Sequence, residues 1–396
     1  MKSIKKENRG LYVNTCLNQL GLGIALTVIG SVLPMISAEY QLDYQISGIL
    51  LSVQSAGFLL MGAVVGYLPS RLGVRQTYVF LGALVFLGLI VTMVTSNPIL
   101  LILAMLMTGF GKGGDSNFTS QFVSNLSHGN TGSLNFMQAF FAVGACVAPL
   151  IVMVCGTSWR SALMIVIAFG AVQTIHAIAV PIGSDAYIEK EKVRPDYGFL
   201  KEELFWICAL LMSTYVAFEA SIMGWLVTFF VDTGIVSESA AQILATSLWI
   251  ALFAGRMLTA QISRHFLPYQ MIPVMVIGTA ICFTMLLFGH HMIFVGIGTI
   301  GTGLFMAGLY GTAMGNSGTL MKRYPLCMGM FIVLPGAVSI AVLALIGALA
   351  QKFDIHIGMG ALYVLVFLMI LLAVRNVTYC KSKRHHTSRR MEEAEI

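Results

Sequence analysis

The sequence predicts an all-α membrane protein with twelve transmembrane helices in two six-helix halves. Three observations lead to this prediction: the composition is strongly apolar, twelve apolar segments are long enough to span a bilayer, and the basic residues fall on alternate sides of those segments. Of the 396 residues, 57% are hydrophobic and only 10% are charged, and the mean hydropathy is +0.85. Because soluble domains contain roughly 25% charged residues, this composition excludes a soluble globular protein.

Each of the twelve segments has the length of a transmembrane helix, since about 20 apolar residues cross the hydrocarbon core of a bilayer. Turn residues or charges separate one segment from the next. The first segment lacks an Ala-x-Ala cleavage site, so we expect a retained helix and not a signal peptide. The predicted spans cover residues 11–36, 44–68, 77–95, 98–124, 131–155, 160–182, 204–231, 238–262, 269–289, 292–320, 326–350 and 355–377.

Lysine and arginine indicate the side of the membrane on which each loop lies, because short cytoplasmic loops retain them. With both termini in the cytoplasm, 19 of the 23 basic residues lie in cytoplasmic segments. Arg160 and Lys352 lie in loops on the other side, and Lys112 and Arg256 lie within spans. We therefore expect a multi-pass protein of the cell membrane, plasma or inner, with both termini cytoplasmic.

The longest polar stretch, residues 183–203, is the expected cytoplasmic linker between the two halves. It follows an N-terminal six-helix half, residues 1–182, and precedes a C-terminal six-helix half, residues 204–377. Residues 378–396 form a basic cytoplasmic tail, which anchors the chain by its charge or binds anionic membrane lipids.

The two halves resemble each other in sequence. Gly62 corresponds to Gly255 in the same register, and the Gly-Asp-Ser tripeptide at 114–116 corresponds to the Gly-Asn-Ser tripeptide at 315–317. Parallel repeats of this kind are typical of transporters whose substrate site lies near the midplane between the halves.

Two charged residues interrupt the fourth predicted span, in the stretch 109–121. An Asp or Lys at the centre of a membrane helix costs roughly 2.5 to 3.5 kcal/mol, so such residues face a protein interior or a water-filled cavity. Thr108, Lys112, Asp115 and Thr119 share one helix face by their spacing, and we expect that face to line a cavity. Alternatively, Lys112 and Asp115 neutralise each other and hold helices together.

Glu219 lies in the seventh span, with Tyr215 one turn before it and no basic residue within four positions. A carboxyl group without a neighbouring cation is the better candidate to bind and release a proton near neutral pH, whereas Asp115, close to Lys112, is expected to stay ionised. Glu219 and Asp115 are therefore the candidate proton-coupling residues, with Glu219 as the proton carrier. The alternative is a neutral Glu219 hydrogen-bonded between helices.

Further amide and aromatic side chains lie on the spans expected to surround the cavity. Such groups hydrogen-bond to and stack on small polar ligands, although amides also bond between membrane helices. Arg256 is expected to act in gating or packing. Together the candidate substrate-binding residues are Gln54, Lys112, Asn135, Gln138, Tyr215, Trp249, Tyr310 and Asn316.

The loop after the second span, residues 66–75, reads GYLPSRLGVR. It resembles the loop signature of the major facilitator superfamily, with Ser70 at the position of the usual Asp. The resemblance implies the fold of that superfamily. It also implies a gating loop formed by Arg71, Gly73 and Arg75, with Arg264 in the corresponding loop of the second half.

Two segments resemble the fucose and hexose permease branch of this superfamily: SLNFMQAFFAVGA at 133–145 and YVAFEASIMGW at 215–225. The resemblance implies a proton-coupled sugar symporter. The first span offers amides where fucose-type members have a carboxylate, and Phe141 stands where a sugar-contacting Asn is expected.

We therefore expect a secondary active transporter that moves a small polar organic solute, with a monosaccharide favoured, by alternating access and proton symport. One alternative is efflux of a drug or metabolite by proton antiport, for which the Gly and Pro pattern at 144–149 is partial evidence. Another is a non-transporting membrane receptor or scaffold. This would leave the charges inside the spans without a use.

The sequence does not predict an enzyme, since it lacks Gly-x-Ser-x-Gly, His-Glu-x-x-His and a phosphate-binding glycine loop. The seven cysteines are scattered without metal-ligand spacing, so no metal site is expected. We expect no cofactor, with a proton gradient as the driving force. The expected partners of the monomer are a small-molecule substrate and membrane lipids, and no nucleic acid.

Overall fold

The computed structural model describes residues 9–126, 131–179, 196–324 and 326–394, and within these ranges the regular secondary structure is helical throughout. Twelve of the described helical segments are long and apolar enough to cross a membrane. They agree with the predicted spans to within a few residues, so the predicted fold class is confirmed.

The first part of the chain forms seven helices. A 3-10 turn, Val65–Tyr67, links the second and third, and Gly73 joins the third to the fourth with a φ of 90°, a backbone conformation that favours glycine. The helices are α1 (Arg9–Tyr40), α2 (Tyr44–Val64), α3 (Leu68–Leu72), α4 (Val74–Val94), α5 (Pro98–Leu126), α6 (Thr131–Cys155) and α7 (Trp159–Ala179). Most of the predicted linker, 183–203, lies outside the described residues.

The described residues from 196 onwards form nine α-helices, preceded by a short 3-10 helix, Gly198–Lys201. The predicted tenth span is broken into three pieces, and the last helix continues through the predicted tail to Ala394. The helices are α8 (Glu203–Thr233), α9 (Glu238–Ile262), α10 (Pro268–Phe288), α11 (Met292–Met306), α12 (Leu309–Asn316), α13 (Gly318–Arg323), α14 (Cys327–Lys352), α15 (Ile355–Gly360) and α16 (Leu362–Ala394).

The chain divides into two compact units whose boundaries differ from those of the predicted halves. Unit one contains Met1–Lys192, Ser221–Trp249 and Ile340–Gly358, and unit two contains the remainder. Parts of α8, α9 and α14 therefore belong to the same unit as α1 to α7.

Glycines explain why unit one includes parts of α8 and α14. A Cβ atom added to Gly30 of α1 would lie 2.6 Å from the Met223 carbonyl oxygen of α8, and one added to Gly347 of α14 would lie 2.9 Å from Gly48 Cα of α2. At these distances no side chain fits, so the helices pack backbone against backbone.

Glycines also set the position of α5 within unit one. A Cβ atom at Gly109 would lie 2.2 Å from the Gln54 carbonyl oxygen, and one at Gly113 would lie 2.0 Å from the Phe58 carbonyl oxygen. The spacing of four residues keeps both glycines on the face that contacts α2. This close contact fixes the rotation of α5 and directs Asp115 away from α2.

Gly255 of α9 and Gly311 of α12 form a matched pair for a test of helix packing in unit two. A Cβ atom at Gly255 would lie 2.3 Å from the Leu304 carbonyl oxygen, whereas none of the described atoms lies within 4 Å of a Cβ at Gly311. We expect Gly255→Ala to destabilise the protein by about 1–3 kcal/mol through overpacking. Gly311→Ala should be neutral or slightly stabilising, since Ala favours the helix. Thermal unfolding in detergent measures both, and equal effects would contradict the packing.

Candidate functional site

Asp115 is held by α1 and keeps one oxygen free of protein partners. Its Oδ2 atom accepts a hydrogen bond of 2.6 Å from Asn18 Nδ2 of α1. Its Oδ1 atom is buried and has no hydrogen-bond partner among the described residues. No ion pair of Asp115 is found in the described part of the chain. The carboxyl group is therefore bound by one neutral amide and retains an unused acceptor.

A partly open cavity of ≈ 50 Å³ lies beside Asp115 and is lined by α1, α4, α5 and α7 of unit one. Five of the lining side chains are polar: Asn18, Tyr78, Asp115, Gln173 and Thr174. About 10–15 Å³ of such volume is enough for one water molecule, so the cavity has room for a few water molecules or one small ion. It is therefore too small for an organic solute, and its polar groups lie beside apolar ones.

Tyr78 points its hydroxyl group into the same region. The side chain is 8% exposed, and Tyr78 Oη is buried without a hydrogen bond of normal geometry among the described residues. Its nearest polar neighbours are Thr15, Asn18 and Asp115. The ring packs edge-on against Phe118 of α5 at 5.3 Å between ring centroids. Packing thus fixes the ring while the hydroxyl group remains available.

Lys112 does not form the ion pair that its spacing from Asp115 suggested. Its side chain is fully buried, and Lys112 Nζ has no hydrogen-bond partner within the described ranges. The predicted neutralisation of the two residues is therefore wrong for this structure. The physical reason is that Asn18 on α1 binds the carboxylate, so side chains on one helix face have different neighbours.

The two threonines of the same face are also buried. Thr108 accepts a hydrogen bond from Gln54 Nε2 at 3.1 Å, and Thr119 accepts one from Gln19 Nε2 at 2.7 Å. This face of α5 is therefore packed against α1 and α2 within unit one, and the expectation that it lines a midplane cavity stays a prediction.

Substitution of Lys112 by Met tests separately whether the buried amino group contributes to folding stability and to transport. Met has a similar length and no charge, and replacing buried ionic groups with well-packed apolar ones is often neutral or stabilising by about 1–4 kcal/mol. We expect Lys112→Met to unfold at the same or a higher temperature than the wild type in detergent, and to lose uptake if Lys112 contacts the solute. Lys112→Gln is the polar control. A clear destabilisation by Met alone would show that the amino group has a stabilising partner.

In unit two, Glu219 is paired with a cation that the sequence did not place beside it. Arg256 Nη2 of α9 lies 3.3 Å from Glu219 Oε1 of α8, with 15% of the Glu219 side chain and 47% of the Arg256 side chain exposed. The premise that made Glu219 the proton carrier, the lack of a nearby cation, therefore does not hold. The two residues are 37 positions apart, so a local sequence window could not reveal the pair.

Two predicted substrate-binding tyrosines accompany this ion pair. The rings of Tyr215 and Tyr310 are 6.5 Å apart between centroids, and Tyr215 is buried. Tyr215 lies beside both Glu219 and Arg256. Unit two thus brings four candidate residues from three helices, α8, α9 and α12, into one polar and aromatic cluster.

The amides of Gln54 and Asn316 have partners on neighbouring helices. Gln54 bonds to Thr108 within unit one, and Asn316 Nδ2 donates to Asn376 Oδ1 of α16 at 2.7 Å within unit two. Both contacts correspond to the alternative considered from the sequence, in which amides join membrane helices.

The remaining substrate-binding candidates lie in unit one. Trp249 is buried and packs edge-on against Phe141 at 6.3 Å between ring centroids. Gln138 is exposed, and the side chain of Asn135 lies outside the described residues. Their roles stay predictions.

In the predicted gating loops, Arg71, Arg75 and Arg264 have exposed side chains. Their position at helix ends is compatible with the implied gating role, which remains a prediction. Asn18, Tyr78 and Gln173 were not among the candidates. Asn18 and Tyr78 could have been found from their position inside apolar spans, but their convergence on Asp115 depends on tertiary packing.

Twelve helices of the described residues are long and apolar enough to span a membrane, and together with the polar groups buried among them they define a polytopic membrane protein. The chain belongs to the Major Facilitator Superfamily, whose family profile matches residues 15–325. It is therefore a transporter of a small solute and not an enzyme. The superfamily prediction is confirmed, while the fucose and hexose branch stays a prediction.

Known relatives agree with this assignment. The putative transporter AraJ of Escherichia coli (strain K12) is 22% identical over 274 residues, covering 67% of this chain and 68% of AraJ. The crystal structure of a point mutant of the nucleoside transporter NupG has a TM-score of 0.76 at 14% identity, covering 94% of this chain and 99% of that one. The D-xylose-proton symporter has a TM-score of 0.74 at 12% identity, covering 93% and 96%.

Proposed function

We propose that this protein imports a small polar organic solute, with a monosaccharide favoured, together with protons, and that Asp115 is the residue that carries the proton. One observation is the main support: Asp115 is a carboxylate within a membrane span with a buried oxygen that has no partner among the described residues, beside a small cavity. This proposal moves the proton-carrying role from Glu219 to Asp115.

The argument rests on the cost of a buried charge. An ionised carboxyl group away from water is costly unless it is paired with a cation or several donors. Asp115 has one neutral donor, Asn18, and taking up a proton removes the charge. The protein can therefore change between its two access states more easily when Asp115 is protonated than when it is ionised.

Glu219 has a different part in this proposal. Its pairing with Arg256 keeps two opposite charges together, with Tyr215 and Tyr310 beside them. Aromatic faces and a few polar groups are typical of sites for small polar ligands. We assign this cluster to solute binding, so that the solute and the proton occupy different places on the chain.

The solute class is supported by two proteins of similar fold, a nucleoside transporter and a D-xylose-proton symporter. Both solutes contain a sugar ring. The distribution of basic residues supports a location in the cell membrane with both termini in the cytoplasm.

Uptake into proteoliposomes tests this function. Purified protein is reconstituted and offered a panel of pentoses, hexoses, nucleosides and organic acids, with an inwardly directed proton gradient or with the gradient collapsed by a protonophore. We expect one sugar-containing solute to accumulate only with the gradient, and to make the lumen more acidic. Accumulation with the opposite gradient would indicate antiport and efflux. Equal solute uptake with and without the proton gradient would reject proton coupling.

A further inference from the structure

We infer that the cavity lined by α1, α4, α5 and α7 is also a sodium site, in which Na⁺ and the proton compete for Asp115. The inference rests on the proposed role of Asp115 as the ion-coupling residue, and it adds a second cation to that role. It starts from the cavity and from the two buried oxygens, Asp115 Oδ1 and Tyr78 Oη, that lack hydrogen bonds among the described residues.

The lining supplies the type of ligand that a hard cation binds. Hard cations take carboxylate, carbonyl, amide and hydroxyl oxygens. Asp115, Asn18 and Tyr78 each contribute an oxygen-bearing side chain, and Gln173 and Thr174 of α7 contribute two more. Asn18 donates to the carboxylate through its Nδ2 atom. Its side-chain oxygen takes no part in that hydrogen bond.

Charge selects a monovalent cation. Among the described residues that line the cavity, Asp115 is the one acidic side chain, and none is Lys, Arg or His. One cation of charge +1 therefore neutralises the site, whereas a divalent ion would leave an excess charge in the membrane interior. Lys112 lies on the same helix and is fully buried, yet it is not part of the lining.

The size of the cavity also favours a monovalent ion. The cavity volume of ≈ 50 Å³ accommodates a dehydrated monovalent ion with a water molecule. Mg²⁺ gives up its water shell reluctantly and usually keeps several water ligands, so it would need more space. Transition metals prefer His and Cys ligands, and in the described residues no group of three or more His, Cys, Asp or Glu side chains is placed to hold a metal.

The groups that face Asp115 from each neighbouring helix allow competition with the proton. Among the described residues that line the cavity they are Asn18 on α1, Tyr78 on α4, and Gln173 and Thr174 on α7, and of these only the tyrosine can titrate. The carboxylate can thus be neutralised either by a proton or by Na⁺, but not by both at once. We expect Na⁺ affinity to fall as the medium becomes more acidic.

Equilibrium binding of radioactive Na⁺ to the purified protein in detergent tests the inference. We expect saturable binding of one ion per chain at alkaline pH, resistant to excess choline and weakened at mildly acidic pH. Asp115→Asn should abolish it, and Tyr78→Phe should weaken it about tenfold or more. Two controls remove the same chemical groups elsewhere and should bind Na⁺ as the wild type does. They are Asp43→Asn, at the helix cap that accepts from the Ile46 backbone N–H, and Tyr12→Phe, which removes a hydroxyl group that donates to the Ser133 carbonyl oxygen.

The outcomes separate this inference from the proposed function. Absence of saturable Na⁺ binding to folded wild-type protein, or full binding to folded Asp115→Asn, overturns the sodium site, with folding checked by circular dichroism. If Asp115→Asn then still loses proton-driven uptake, the proposed function stands without the sodium site. If Na⁺ binds as expected and no solute responds to a proton gradient, the sodium site stands and proton coupling fails.

Discussion

Asp115→Asn is expected to stop the accumulation of solute driven by a proton gradient while leaving the exchange of solute across the membrane intact. The amide has the same shape as the carboxyl group and its oxygen can still accept the hydrogen bond from Asn18, but its charge no longer changes. Accumulation should fall to the level seen without a gradient. Counterflow of labelled solute in proteoliposomes, measured beside gradient-driven uptake, separates the two effects.

Asp43→Asn is the matched control. Asp43 caps the N-terminus of α2 by accepting a hydrogen bond from the Ile46 backbone N–H at 2.7 Å, and Asn caps helices equally well. This variant should accumulate solute normally. Gradient-driven accumulation by Asp115→Asn at the wild-type level would contradict the proposal and return the proton-carrying role to another carboxyl group.

Removing either partner of the Glu219 and Arg256 pair should destabilise the folded protein more than removing both partners does. Each single variant, Glu219→Gln or Arg256→Gln, leaves one charge without its partner, whereas the double variant leaves none. We expect a coupling free energy of about 0.5–3 kcal/mol, reduced by screening because Arg256 is half-exposed. Solute uptake should be lost in all three variants, since the cluster binds the solute. Thermal unfolding and uptake measure the two effects separately.

An exposed ion pair in the same unit provides the comparison. Arg323 Nη1 and Glu202 Oε1 are 3.6 Å apart, and 70% of the Arg323 side chain is exposed. Such pairs contribute about 0–1 kcal/mol, so their double-variant cycle should be nearly additive. If the changes in unfolding free energy at Glu219 and Arg256 are equally additive, the two residues do not stabilise each other despite their short distance.

The twelve spans could be predicted from the sequence because hydropathy and length are local properties. A segment such as 238–262 contains all the information that decides whether it can cross a bilayer, and its predicted limits coincide with α9. Hydropathy alone did not predict the division of the tenth span into α11, α12 and α13. Gly301 and Gly308 pack closely on neighbours, whereas a Cβ at Gly311 or Gly315 would meet no described atom within 4 Å.

The chemistry of the candidate site could not be predicted in the same way. The sequence offered Lys112, three residues away, as the partner of Asp115, whereas the structure pairs Asp115 with Asn18, 97 residues away. Helix periodicity favoured the nearer residue. The actual partner follows from the rotation of α5, which depends on backbone contacts at Gly109 and Gly113 with another helix. Sequence periodicity describes faces of single helices, while pairing depends on how helices meet.

The breaks that divide α11, α12 and α13 have a consequence for the internal dynamics of unit two. The regular helix ends at Ala307–Gly308 between α11 and α12, and at Ser317 the backbone N–H is shared between the Ala313 and Met314 carbonyl oxygens. The eight residues of α12 are too few to form a cooperative helix by themselves. Local opening should therefore cost less free energy here than in α11. A large rearrangement of the bundle could be absorbed by a few dihedral angles at these two joints, with the long helices remaining rigid.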